Sequence, residues 1–439
     1  MNKQAFLNKF RDQILLLDGA TGTNLQAAGM PTGVSPEQWI LDNPEVLEKL
    51  QENFYEAGST IVYAFTFGAN RTKLLSHGHM ADTKQVEAIN KSLAKISCSV
   101  RDKMRAKYPE RDFYVAGDLA PTGSFLQPAG ELDFDELVDI YREQVRGMLE
   151  AGVDLFVAET MMDLAQTRAA VIAVREETDL PVLASVTVDD NGRTLSGNSF
   201  EVCLLSLAAI GAQAVGMNCS SGPLNMVENM KFEYIPSDCL LLAKPNAGVP
   251  RLNKDGNTVF DLTPQDFASQ MISFTELGVS LIGGCCGNTP EHISALSEAA
   301  DITLGSISIR KSAPLGTILA DEQLAQAVIA SERSTSNLTC WGNSPLLECV
   351  DISTLAEDIL DVMEDDPNSI AIKFSLKTTP ERDEFKVAMA ELQLTCGRPL
   401  IFITDDSVLQ KWIGRYYHGL TAIITERLSP EIPVYHLMP

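Results

Sequence analysis

With 439 residues, a formal net charge of −25, 45% hydrophobic and 21% charged side chains, the chain has the makeup of a globular protein able to bury a sizeable core. It is acidic and has no Lys/Arg-rich run, which argues against nucleic acid and anionic membranes as partners, and no apolar run nears the ~18 residues of a membrane span. The start, Met1-Asn2-Lys3-Gln4-Ala5-Phe6, carries no apolar signal segment, and nine scattered cysteines point to a reducing compartment, expected to be the cytoplasm, with free or metal-bound thiols.

Eight short apolar, β-rich runs precede residue 290: Ile14–Asp18, Thr60–Phe67, Phe113–Asp118, Leu155–Thr160, Val182–Val188, Ala214–Ser220, Leu241–Asn246 and Val279–Cys286. Between them lie segments of helical period, clearest at Pro44–Ala57, Lys84–Lys107, Phe134–Ala151, Leu164–Thr178 and Pro264–Leu277. Ala57-Gly58 and Ala151-Gly152 fit glycine helix stops. Near-continuous apolar strands separated by helices imply a parallel sheet covered on both faces. Eight such units in this length predict an α/β fold of the (β/α)8 TIM-barrel type, with an open doubly wound sheet as the alternative.

After residue 302 the pattern changes. Residues 303–320 read as a linker, and 321–439 as a smaller α/β domain of unassigned role. Its apolar runs are Ile370–Leu376, Leu400–Thr404 and Leu420–Thr425, and its helical patterns Glu322–Ser331, Ser353–Met363, Glu381–Leu392 and Ser407–Tyr417. No internal repeat stands out.

A barrel gathers its chemistry at the C-terminal ends of its strands. There the sequence places Asp18 to Gly22, Thr66 to Asn70, Asp118, Glu159-Thr160, Asn218-Cys219-Ser220, Pro245 to Gly248 and Cys285-Cys286. Cys219 at the sixth strand end and Cys285 and Cys286 at the eighth form a set of three thiolates that suits Zn²⁺ and leaves a fourth position open. Gly283, Gly284 and Gly287 give the backbone freedom to bring adjacent cysteines onto one ion. Three thiolates make zinc a poor Lewis acid for carbonyls but suit it to binding and deprotonating an incoming thiol, so the expected chemistry is alkyl transfer to sulfur. Cys98, Cys203, Cys239, Cys340, Cys349 and Cys396 read as ordinary buried cysteines. His77 and His79, in Ser76-His77-Gly78-His79-Met80, read as a solvated loop.

Asp18-Gly19-Ala20-Thr21-Gly22-Thr23, Thr66-Phe67-Gly68-Ala69-Asn70, Asn218-Cys219-Ser220, Pro245-Asn246-Ala247-Gly248 and Gly283-Gly284-Cys285-Cys286-Gly287 together resemble the homocysteine S-methyltransferase family, in order, over residues 10–300. The resemblance is strongest to the homocysteine-binding module of cobalamin-dependent methionine synthases. It implies a TIM barrel, zinc on Cys219, Cys285 and Cys286, homocysteine as substrate and methionine as product. The amino-acid end of such a substrate needs a carboxylate and donors. Glu159, which the family supports, and Asp18 are the candidates for its ammonium, and the Gly19-Ala20-Thr21 turn for its carboxylate. Asn218 and Asn246 are candidates for orienting the cysteine loop or the substrate, or for capping strand ends, and Asp118 reads equally as a structural carboxylate.

The methyl donor differs within the family. Betaine needs an aromatic cage, and the matching positions here are Val34, Gly68 and Thr160, so betaine ranks low. A methylcorrinoid such as methylcobalamin leads. No Asp-x-His-x-x-Gly signature is present, so a separate corrinoid protein would carry it. S-methylmethionine and S-adenosylmethionine are alternative donors and selenohomocysteine an alternative acceptor. A non-catalytic homocysteine-binding partner or sensor of a corrinoid protein is the reading of another class.

Overall fold

The computed structural model describes residues 2–303, 312–313 and 344–424, apart from positions 12, 79–81, 232–234, 237, 253–257, 368, 399 and 420. His79, Cys340, the expected helix Glu322–Ser331 and nearly all of the expected 303–320 linker lie outside the described residues.

Eight strands form one parallel sheet: β1 (Leu15–Leu16), β2 (Ile61–Tyr63), β3 (Tyr114–Leu119), β4 (Leu155–Met161), β5 (Val182–Val186), β6 (Ala214–Cys219), β7 (Leu240–Pro245) and β8 (Val279–Ile282). Neighbours in the sheet are neighbours in sequence, β8 pairs with β1, and a bridge from Leu17 to Ile61 joins β1 to β2. The circle is that of a TIM barrel, and the open-sheet alternative is excluded. Each expected strand run lies on one of the eight. The helix Pro44–Glu56 is followed by Gly58 at φ +115°, and Phe134–Ala151 ends on Gly152 at φ +88°, a left-handed stop that glycine adopts without a Cβ clash. The pattern at 264–277 divides into two helices, Pro264–Met271 and Ser273–Glu276.

Alternation along the strands sorts the barrel interior into layers. Leu15, Ile61, Leu155, Leu183, Ala214, Leu240 and Leu281 share one apolar cluster with Phe6, Leu7 and Phe10 of the helix Lys3–Phe10. That helix starts on Asn2, whose Oδ1 accepts the Ala5 amide at 2.9 Å, and it stoppers the N-terminal end of the barrel. Each buried phenylalanine there contributes about 1.5–3 kcal/mol. Two residues beyond the apolar positions Ala116, Val157, Leu183 and Leu242, the same inward face carries Asp118, Glu159, Ser185 and Lys244, all buried. The interior therefore turns from hydrocarbon to charge at the C-terminal end of the strands.

The smaller domain is a second parallel sheet, β9 (Leu346–Cys349), β10 (Ile370–Phe374), β11 (Leu400–Ile403) and β12 (Thr421–Ile424), in sequential order. Helices Leu355–Met363, Arg382–Thr395 and Ser407–Tyr416 connect them. It docks on the start of the barrel helix Phe134–Ala151. Asp135 accepts from Arg415 Nε at 2.8 Å, Tyr416 Oη at 2.9 Å and Arg382 Nη2 at 3.1 Å, and Lys386 Nζ reaches Asp133 at 2.6 Å. Phe134 meets the rings of Tyr416 and His418. A cavity of about 770 Å³ lies between this domain and the loops that follow β3, β4 and β5. Among the described residues no helix is long and apolar enough to cross a membrane.

Candidate metal centre

β6 runs out at Asn218-Cys219, and the backbone there turns left-handed, with φ +60° at Cys219 and +51° at Ser220. Side chains with a Cβ pay roughly 1–2 kcal/mol for that conformation, so the surroundings must hold it. Ser220 Oγ accepts the Val188 amide at 2.9 Å, and Thr187 Oγ1 donates to the Asn218 carbonyl at 3.2 Å. Asn218 is locked to β4: its Nδ2 donates to Thr160 Oγ1 at 2.7 Å, and its Oδ1 accepts the Thr160 amide at 2.9 Å. Thr160 is itself left-handed, φ +57°.

The segment after β8 is pinned on both flanks. Gly284 N–H donates to the Asp18 carbonyl, Cys285 N–H to the Pro245 carbonyl, and Ala247 N–H to the Cys286 carbonyl. Asn288 closes the turn, its Nδ2 donating to Pro245 O at 3.0 Å and Cys285 O at 3.1 Å. A Cβ on Gly284 would stand 2.3 Å from Asn288 Cγ, so this glycine is required for the turn to close.

These two loops bring together the thiols of Cys219, Cys285 and Cys286, whose sulfurs all lie within 4.8 Å of one another. Among the described residues no other group of three Cys, His, Asp or Glu side chains meets in this way. Three soft sulfur donors within reach of one ion fit Zn²⁺. The chemistry of the cluster supports the same assignment. Despite the hydrogen bond from Cys285, the contact with Cys286 and burial push the Cys219 thiol up to about 11. Cys286, although favoured by its bond from Cys219, is pushed up to about 12 by Cys285 and burial, and Cys285 is raised as well, first through its bond with Cys219. Three crowded thiols resist ionisation until a cation neutralises them. The other described cysteines, 98, 203, 239, 349 and 396, are buried and form no disulfide.

Beneath the cysteines sits a charged cluster that contains Lys244. Its Nζ lies 2.7 Å from Asp18 Oδ1, 3.3 Å from Glu159 Oε1 and 3.6 Å from the Tyr63 ring centroid. Burial opposes the ammonium, yet Asp18 and Glu159 hold its pKa well above the ordinary lysine value. Burial pushes both carboxyls up, and Lys244 pulls them back down. Asp118, which lacks such a cation at bonding distance, is pushed well up by burial and by the charge of Glu159, and its Oδ1 has no partner among the described residues.

The sequence-selected residues therefore fall around one mouth, with differing commitments. Glu159 and Asp18 flank Lys244. In the Gly19-Ala20-Thr21 turn, the Ala20 amide already donates to Asn288 O at 3.0 Å, and Thr21 immediately precedes the helix Gly22–Ala27 without a side-chain capping bond. Asn218 is fully buried and serves Thr160 and the cysteine loop, its Nδ2 standing 3.7 Å from Cys285 Sγ. Asn246 is buried with Oδ1 unpartnered among the described residues. His77 ends the short helix Arg71–Ser76 and is exposed. Sequence reasoning missed Lys244 and Asn288 as site-forming residues, and named Thr160 only as a strand-end and cage position, not as the partner of Asn218. Lys244 did leave a signal, as the lone charge in the apolar run Leu240 to Pro245.

The homocysteine S-methyltransferase family model matches residues 15–300. Methionine synthase of Mycobacterium tuberculosis is 32% identical over 347 residues, which cover 75% of this chain and 28% of that protein. Methionine synthase of Mycobacterium leprae is 32% identical over 305 residues, 67% of this chain and 25% of that protein. The chain thus spans little more than a quarter of the length of these relatives. The metallated homocysteine methyltransferase MmuM from Escherichia coli superposes with a TM-score of 0.55 at 24% identity, over 67% of this chain and 98% of that one, a likeness of fold. With its motifs, its barrel and its three convergent cysteines, this chain belongs to the homocysteine S-methyltransferase family.

Proposed function

We propose that the chain is a zinc-dependent methyltransferase that moves a methyl group onto the thiol of homocysteine and so makes methionine. The observation that carries this reading is the convergence of Cys219, Cys285 and Cys286 at the barrel mouth of a member of this family. Bound zinc supplies one thing, a site at which a substrate thiol loses its proton at neutral pH. The chain does the rest. Glu159 receives the substrate ammonium, the turn at Gly19 to Thr21 faces its carboxylate, and the Thr160–Asn218 lock keeps Cys219 in place. The apolar layer below excludes water from that end of the barrel.

For the donor, a methylcorrinoid on a separate protein remains the leading reading. An aromatic cage for betaine is disfavoured at Gly68, where a Cβ would stand 2.1 Å from Glu37 Oε1. Eight described cysteines, none of them in a disulfide, support a reducing, cytoplasmic setting. The test is product analysis by mass spectrometry with zinc-loaded protein, homocysteine and each donor in turn: a methylated corrinoid protein, S-methylmethionine, S-adenosylmethionine and betaine. Methionine from the corrinoid protein alone is the expected result. Methionine from one of the others reassigns the donor, and homocysteine binding without turnover on any donor makes the chain a sensor or partner. A wild-type chain that takes up no zinc in the presence of homocysteine, or keeps it undiminished after Cys219→Ala, Cys285→Ala or Cys286→Ala, overturns the reading.

A further inference from the structure

The two carboxylates around Lys244 are committed unequally. Asp18 is sealed, its side chain 2% exposed, and both oxygens are taken: Oδ1 by Lys244 Nζ at 2.7 Å and Oδ2 by the Tyr63 amide at 2.8 Å. The Glu159 side chain is 12% exposed, and its Oε1 meets Lys244 Nζ at 3.3 Å. Among the described residues no donor reaches Glu159 Oε2. Lys244 itself is 2% exposed and held on a third side by the Tyr63 ring. Asp18 and Glu159 against one ammonium leave a single negative charge, and of their four oxygens the uncommitted one belongs to the residue that opens toward the mouth. Asp118 beside them also has an unpartnered oxygen among the described residues, but it is sealed and burial favours its neutral form. Without Lys244 the two carboxylates would repel each other, and the site would draw in either a proton or a second cation.

We propose that Lys244 is a specificity-determining residue, which cancels the charge of Asp18 and leaves Glu159 Oε2 as the acceptor for one ammonium group. The site then takes thiols with a free α-amino group and discriminates against their des-amino counterparts. Asp18 acts through Lys244 and not by touching the substrate. This assignment rests on the amino-acid-thiol reading above and adds to it the residue that sets the charge of the pocket.

Isothermal titration of the full chain with three thioethers tests the assignment with no thiol proton or methyl transfer in play: L-methionine, its des-amino analogue 4-(methylthio)butanoate and its des-carboxy analogue 3-(methylthio)propylamine. Wild type is expected to bind the des-amino compound roughly 10- to 100-fold more weakly than methionine, the worth of one charged hydrogen bond. Lys244→Met exposes a second negative charge, and 3-(methylthio)propylamine should then gain about tenfold on zwitterionic methionine, a shift of ~1.4 kcal/mol. The double variant Lys244→Met/Asp18→Asn removes the inner pair together, keeps Glu159 as the one charge and should return the wild-type ranking. It also answers the question if Lys244→Met alone fails to fold, since it leaves one carboxylate without a cation, the partly open Glu159, where the single variant leaves two. A folded Lys244→Met with the wild-type ranking, or a double variant that loses the preference for an amino group, overturns the role of Lys244 while leaving the enzyme reading intact. A wild-type chain that binds none of the three overturns the amino-acid site and this assignment with it.

Discussion

Asn218 and Thr160 hold each other by two reciprocal hydrogen bonds, Nδ2 to Oγ1 at 2.7 Å and backbone N–H to Oδ1 at 2.9 Å. The pair ties β4 to β6 immediately before Cys219 and keeps two left-handed residues in place. Asn218→Ala leaves the amide of half-buried Thr160 without its acceptor, a cost of about 1 kcal/mol. If Cys219 holds zinc as proposed, a support of this kind behind it is worth roughly 10- to 100-fold in affinity. We expect zinc affinity, measured by competition with a chromogenic chelator, to fall within that range while all three cysteines remain.

The turn that presents Cys285 and Cys286 depends on Asn288 fitting against Gly284. Gly284→Ala puts a Cβ 2.3 Å from Asn288 Cγ and must break the two bonds that Asn288 makes to Pro245 O and Cys285 O. Overpacking of this sort costs about 1–3 kcal/mol. Chemical denaturation should show that loss, and metal analysis should show weaker zinc retention. Gly22→Ala, where a Cβ meets nothing within 4 Å, should show neither.

Asp118 carries a stability signature of opposite sign to a salt-bridged acid. Burial and the Glu159 charge raise its folded pKa above that of the unfolded chain. Its contribution is therefore fully present below the unfolded value of about 4 and is lost as pH rises through the folded pKa. Asp118→Asn removes that loss. Thermal melts should show the variant gaining on wild type from about pH 4 upward, by a few degrees at neutral pH, and the two should converge in acid.

Asp135 joins the two domains by accepting from Arg382, Arg415 and Tyr416 together. Asp135→Ala takes one acceptor from Arg415, which keeps Glu176, and one from the exposed Arg382, which keeps Tyr416 Oη, and we expect a loss of about 1 kcal/mol. Limited proteolysis should show earlier cleavage in residues 344–424, with the zinc content of the barrel unchanged. Equal protection of variant and wild type would show that packing around Phe134, and not the ionic cluster, holds the domains together.

The barrel can be read from the residues because strands covered on both faces must be apolar along their length, and all eight runs stand out for that reason. Glycines 58 and 152 mark helix ends through their left-handed backbone. Helices of one or two turns, such as Gly22–Ala27 and Arg71–Ser76, are too short to show a period. β9 is hidden because only Cys349 of its four residues is buried. Within the site, the cysteines are conspicuous for their chemistry and for the glycines around them. Lys244 is not, since its role exists only once β1, β4 and β7 surround one interior, which brings partners 226 and 85 residues away within bonding distance. Asn288 works through carbonyls, which leave no trace in residue type.

The stopper formed by Phe6, Leu7 and Phe10 closes the N-terminal end of the barrel interior and leaves the mouth at the other end as the approach. A small molecule seated on Glu159 lies deeper than anything that covers the mouth from outside. For a donor delivered by a partner as large as a protein, the kinetic order becomes compulsory: the thiol enters first, the donor closes over it, and the thioether leaves only after the donor has gone. Excess donor protein would then trap the free enzyme in a dead-end pair, and turnover would pass through a maximum as donor rises at fixed thiol.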